Sequence, residues 1–287
     1  MDQKKKALIG LHISVFLMGA SGLFGKLVTT SAFFLVFGRV MFASAALLLF
    51  LRYKREKIKP NCSKDAFSFL MLGILMAFHW YAFFYAIQLS TVSIGLLTFS
   101  TFTVFTTLLE PVLFRTRLTI RDLAVAALCC AGVWLIVPDT HLSGLSGENT
   151  LWGVIWGVLS GLSYALMLLL NKKYSTQYSP VTLTFYQCLV AMLVLLPVIL
   201  WMREPVLALD WVYLFIHGVV CTAVAFTLYV SATRYIRAQT ISILTMLELL
   251  YGVALAYLIL DESLNMNMAL GGGIILIASY AAMRKPD

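Results

Sequence analysis

Long apolar blocks alternate with short polar breaks along the whole chain. The blocks cover roughly residues 7–28, 32–51, 66–89, 92–114, 123–137, 151–170, 181–202, 211–233, 240–260 and 266–283. Most hold 18 or more residues, enough at about 1.5 Å rise per residue to cross a hydrocarbon core about 30 Å thick as a helix. The fifth block is short and needs flanking interfacial residues to complete a crossing. Because lipid offers no partner for backbone N–H and C=O groups, each crossing must satisfy them internally, as a helix does. The pattern predicts an all-α polytopic membrane protein with ten transmembrane helices.

The layout repeats. Sliding residues 86–118 along by 146 positions lays them on 232–264 without a gap. Each stretch passes from an apolar segment through a polar break, Gln88-Leu89-Ser90-Thr91 or Arg234-Tyr235-Ile236-Arg237, into a hydroxyl-bearing segment. Each then ends in a charged knot, Arg115-Thr116-Arg117 or Asp261-Glu262-Ser263. The expected units are residues 1–138 and 150–287, joined by the loop between them. Five spans is an odd number, so the second unit enters the membrane upside down relative to the first. Inverted repeats of this kind frame a site near the bilayer midplane in many secondary transporters.

Charge then fixes the orientation. With Lys4, Lys5 and Lys6 in the cytoplasm, the predicted inner segments collect 18 of the 21 Lys and Arg residues. The outer segments instead hold Asp139, Glu148, Glu204, Asp210, Asp261 and Glu262. This asymmetry follows the positive-inside rule and places both termini in the cytoplasm. Trp134, Trp152, Trp201 and Trp211 fall at the predicted outer interface, as an aromatic belt would. The net charge of +8 is thereby read as basic inner loops rather than as a nucleic-acid surface. The composition agrees: 12% charged and 61% hydrophobic residues stand far from the roughly 25% charged residues of soluble domains. The basic N-terminus with its apolar run resembles a signal peptide, but the run continues to about Val28 without an A-x-A-like site, so a retained helix is expected.

Soluble-enzyme signatures are missing: there is no G-x-x-x-x-G-K-[ST], no H-E-x-x-H and no Asp-rich metal motif. The five cysteines have no paired spacing, so packed free thiols are expected, with no metal or cofactor. Chemistry must come from polar groups inside the spans, each costing several kcal/mol unless satisfied. Glu248 sits mid-span with Leu244, Thr245, Tyr251 and Gly252 on its face, either as a protonatable or cation-binding carboxylate or as a structural group bonded to a hydroxyl or to Arg39. Arg39, in the second span, either binds an anionic group or locks helices together. His79 neighbours Trp80 near the middle of the third span. It is read either as stacking with or hydrogen-bonding a solute, or as a satisfied core imidazole. In the sixth span Trp156, Ser160, Ser163, Tyr164, Met167 and Asn171 recur at three- and four-residue spacing, marking one mixed face. The hydroxyls Thr98, Ser100, Thr101, Thr103, Thr106 and Thr107 of the fourth span either bond their own backbone or line the path. Gly19, Gly22 and Gly25 allow close helix approach, and Glu110 beside Pro111 is read as structural.

These features together resemble the EamA-like branch of the drug/metabolite transporter superfamily. The match is best at Tyr85-Ala86-Ile87 leading to Leu108-Leu109-Glu110-Pro111, with Arg117-Leu118-Thr119 after it. In the second half it runs from Ala232 to Leu247-Glu248 and then Leu260-Asp261-Glu262-Ser263-Leu264, while Gly38-Arg39 matches the second-helix arginine of such proteins. Leu249 stands where the family often has proline, and Gln187 lies roughly opposite Arg39, so the two halves are unequal. The resemblance implies a secondary carrier with a central cavity, often an exporter of amino acids, related metabolites or toxic organic compounds. The expected protein is an exporter of amino acids or related small amphipathic metabolites in a bacterial inner membrane, with protons as possible coupling ions. The expected site comprises His79, Trp80, Trp156, Tyr164 and Glu248, with Arg39 as an anion contact. The alternatives are a metabolite importer or exchanger, for instance for a nucleotide-like cofactor, and a membrane-embedded lipid-modifying enzyme.

Overall fold

The computed structural model describes residues 3–56, 63–114, 119–136, 147–174, 178–232, 235–236, 241 and 244–283. The inner knot at 115–118, the linker 137–146 and the side chain of Glu110 lie outside the described residues. The chain forms α1 (Gln3–Ser21), α2 (Phe24–Leu27), α3 (Ala32–Lys54), α4 (Ser63–Leu89), α5 (Val92–Phe99), α6 (Phe102–Phe114) and α7 (Ile120–Ile136). After the linker come α8 (Gly147–Tyr174), α9 (Pro180–Met202), α10 (Ala208–Gly218), a π-helical turn (Val219–Val224), α11 (Ala225–Ala232), α12 (Leu247–Leu260) and α13 (Met266–Met283). No strand occurs among the described residues.

Among the described residues, seven segments are long and apolar enough to cross a membrane, and 123–135, 247–260 and 266–278 are shorter apolar helices. Segment ends carry conventional caps. Ser31, Thr91 and Ser179 accept the N–H of Phe34, Ile94 and Thr182 through their hydroxyls, the expected N-cap chemistry. The chain leaves α3, α9 and α12 through left-handed residues, Arg55, Arg203 and Asp261, with φ of 53°, 47° and 54°. The hydroxyl-rich fourth span is broken between α5 and α6 at Ser100–Thr101. Six of its seven hydroxyls return to carbonyls three or four residues back, for example Thr98 to Ile94 and Thr107 to Thr103. Such back-bonding competes with the helical ladder and bends it.

The principal packing joins early helices to late ones: α4 with α8, α3 with α9, α7 with α13, and α1 with both α11 and α12. The first and second halves are therefore interleaved around a common centre. Glycines permit the closest of these approaches. A Cβ on Gly19 of α1 would stand 2.8 Å from the carbonyl oxygen of Glu248 in α12, and one on Gly218 would stand 2.6 Å from that of Arg39. The four tryptophans expected at an interface, Trp134, Trp152, Trp201 and Trp211, are all exposed.

Candidate functional site: a central cavity between Arg39 and Glu248

A cavity lies where α1, α3, α4, α8, the π-turn and α12 converge, and Arg39, His79, Trp80, Tyr164 and Glu248 all line it. Its volume is about 30 Å³, room for about two waters. The walls are mostly aromatic, with Phe83, Phe99 and Phe226 completing them.

Arg39 is 3% exposed and is held from two directions. Its Nε donates to the Thr222 hydroxyl at 3.0 Å, and its guanidinium carbon lies 3.8 Å from the Trp80 ring centre and 5.2 Å from that of Phe84. The Thr222 hydroxyl in turn donates to the His217 carbonyl at 3.0 Å. Thr222 sits in the π-helical turn, a rare conformation that recurs at functional sites. This support fixes the plane of the guanidinium while leaving its terminal nitrogens without a hydrogen bond among the described residues. A fork of parallel N–H groups is the geometry that recognises carboxylate or phosphate.

Glu248, on the first turn of α12, is 7% exposed. It makes no hydrogen bond among the described residues, and its Oε2 is fully enclosed. Glu248 and Arg39 lie within electrostatic reach of each other but form no direct ion pair. The Tyr164 hydroxyl is likewise enclosed, in reach of Tyr229 and Glu248. Leaving a buried polar group without a partner costs about 1–3 kcal/mol, and more for a charged one. Groups of this kind in a native interior point to a ligand, an ion or water.

His79 contrasts with this pair. Its Nδ1 lies 2.9 Å from the Ser160 hydroxyl and 3.1 Å from the Ser160 carbonyl, pinning α4 to α8. The ring packs against Tyr164 and Phe99, with centroids 5.1 and 5.3 Å away. Only Nε2 is left to meet a ligand.

Trp156 is not part of the cavity wall. It packs edge-on against Tyr81 and Tyr85, both at 5.5 Å, and next to Phe78 at 6.4 Å. Asn171, at the other end of the same predicted stripe, closes a buried amide pair with Gln187 at 2.8 Å. Two features escaped the sequence: the π-turn that carries Thr222, and Ser21. The Ser21 hydroxyl on the cavity wall lies 2.8 Å from Nε2 of His217, whose ring stacks on Phe24 at 4.6 Å. Residues 208–232 are almost uniformly apolar, so nothing in the letters marks the extra residue of the π-turn.

The profile of the EamA-like transporter family matches residues 5–137 and again 151–284. The chain belongs to the EamA-like transporter family. It is therefore a multi-pass membrane transporter. It is 28% identical over 254 residues to the uncharacterized transporter YxxF of Bacillus subtilis (strain 168), covering 86% of this chain and 79% of that one. An uncharacterized transporter of Archaeoglobus fulgidus is 28% identical over 275 residues, covering 95% and 94%. A crystal structure superposes with a TM-score of 0.69 over 98% of both chains at 13% identity, a likeness of fold alone.

Proposed function

We propose that this EamA-family transporter exports amino acids or closely related zwitterionic metabolites across a bacterial inner membrane, by alternating access around the central cavity. One observation carries this reading. A guanidinium held only through its Nε and its face, and a carboxylate with an unpartnered oxygen, both buried, line one aromatic-walled cavity without pairing directly. A zwitterion supplies what each lacks: its carboxylate meets the terminal nitrogens of Arg39, and its ammonium meets Glu248. Trp80 and the surrounding phenylalanines receive an apolar side chain. When the cavity is empty, Glu248 carries a proton in place of the ammonium, so substrate and proton exchange at one carboxylate. This is the simplest coupling compatible with a buried acid. The two halves act as inverted repeats, 1–138 and 150–287, that rock about the site.

The test is efflux from proteoliposomes loaded with a mixed pool of amino acids and other metabolites, read by mass spectrometry with and without a pH gradient. Selective loss of zwitterionic solutes, accelerated by the gradient, is the expected result. Loss only when a counter-substrate is supplied outside would instead make the protein an exchanger. Failure of any solute to leave would refute the export reading.

A further inference from the structure

Away from the cavity, three carboxylates cross the seam between the halves on the face that the basic-loop asymmetry assigns to the outside. Asp210, 1% exposed, lies in the first turn of α10. Its Oδ1 accepts the Thr29 N–H at 3.0 Å and its Oδ2 accepts the Thr29 hydroxyl at 2.7 Å. Glu204, just after α9, accepts the Ser31 N–H at 2.6 Å and the Ser31 hydroxyl at 2.5 Å. Glu262, just after α12, accepts the N–H groups of Val92 and Ser93 at 2.9 and 3.1 Å and the Ser93 hydroxyl at 3.1 Å. Every acceptor lies after the mid-chain linker, and every donor lies before it.

The donors belong to one rim. Ser31 and Val92 stand at the starts of α3 and α5, where unpaired N–H groups and the helix dipole favour an anion. The segments carrying them are tied to each other. Gln88 Nε2 donates to the Thr30 carbonyl at 2.9 Å, and Lys26 Nζ donates to the Ser90 carbonyl at 2.7 Å. A single rim of the first half is thus clasped at two places by carboxylates of the second.

We infer that Glu204, Asp210 and Glu262 form the outer gate of the carrier, closed in this structure and parting when the cavity opens outward. This rests on the proposed alternating access and supplies its missing moving part. With room for only about two waters, the cavity must enlarge to admit a solute, and parting the helices at a seam enlarges it. The outer seam is suited to opening because charge-assisted hydrogen bonds between ionised groups and backbone N–H can be exchanged for water at the surface. Interdigitated apolar side chains would have to be exposed. Fixing both oxygens of each carboxylate makes the closed form a defined state rather than a loose approach.

A native thiol reports on this gate, because Cys221 lines the cavity. In a variant keeping only Cys221 of the five cysteines, a membrane-impermeant maleimide is applied to right-side-out or to everted vesicles. Combining Glu204→Gln, Asp210→Asn and Glu262→Gln should speed Cys221 labelling from the outer face by about tenfold or more, a shift in the population of the open form. Labelling from the inner face should not rise. Removing donors instead, with Thr29→Ala and Ser93→Ala, should produce a smaller rise of the same sidedness without touching the carboxylates. Unchanged outer labelling in both variants would overturn the gate, as would equal acceleration from both faces. Labelling needs no substrate, so failure of the export reading and failure of the gate are separately visible.

Discussion

Four carboxylates of the second half sit at contacts with the first half, and they fall into two kinds. Glu204, Asp210 and Glu262 each offer both oxygens to backbone N–H and hydroxyl donors. Glu248 is buried, and its enclosed Oε2 has no hydrogen-bond partner among the described residues. Asp210 and Glu248 have both left bulk water, yet only Asp210 is compensated within the fold, while Glu204 and Glu262 are half-buried at the rim. The difference separates groups that hold one conformation together from a group held ready for something that is not part of the chain. Arg39 repeats the lesson in one side chain: Nε is tied to Thr222 and the face is stacked on Trp80, while the terminal nitrogens have no hydrogen bond among the described residues.

The comparison breaks most visibly at Arg39. Arg39→Ala removes the proposed carboxylate contact, and charged hydrogen bonds of about 1.5–3 kcal/mol translate into a loss of about 10- to 100-fold in transport efficiency, measured as initial efflux against internal concentration. Amidation of the four acids then sharpens the comparison by its size. Asp210→Asn places an NH₂ group or a weaker acceptor opposite Thr29 and should cost about 1–3 kcal/mol, seen as a lower midpoint of thermal unfolding in detergent. Glu248→Gln should leave that midpoint nearly unchanged, because the protonated carboxyl of the empty site is replaced by a neutral amide of similar size. The same variant should abolish the pH dependence of efflux. A lowered midpoint for Glu248→Gln would place it with the structural carboxylates.

A steric variant approaches the same carboxylate from behind. At Gly19 even a methyl would press on the backbone of Glu248 and Gly252, so Gly19→Ala should cost about 1–3 kcal/mol as overpacking and impair transport. Trp80→Leu removes the ring beneath Arg39, and the loss of a cation–π contact of about 0.5–2 kcal/mol should weaken substrate affinity by several-fold. Trp156→Phe should change affinity by no more than about twofold, as expected for a residue away from the site, because Trp156 packs against Tyr81 and Tyr85 instead.

What the letters conveyed and what they hid has a physical explanation. Apolar runs are legible because a bilayer demands them, and Arg39, His79 and Glu248 stand out because polar groups inside such runs are expensive. The cavity does gather those three with Trp80 and Tyr164. Trp156 misled because a step of four residues advances a helix by about 400°, so the stripe turns about 40° per step. Over the two steps from Trp156 to Tyr164 it turns onto another face. Partner choice was hidden as well. Sequence position alone marks Glu204, Asp210 and Glu262 as outer charges, whereas their role depends on which helix starts the fold brings beneath them. Thr222 depends on a π-turn that packs against α3, for which no residue type is diagnostic.

The central claim, that one zwitterion spans Arg39 and Glu248, is tested most directly by competition with analogues lacking one charge. Efflux of the transported amino acid would be measured against its N-acetyl and methyl-ester derivatives in the wild type, Arg39→Ala and Glu248→Gln. The account predicts that both derivatives compete at least about tenfold less well than the parent, a loss on the order of one charged hydrogen bond. It also predicts that Arg39→Ala erases discrimination against the ester only, and Glu248→Gln against the N-acetyl compound only. Equal competition by parent and derivatives in the wild type would contradict it.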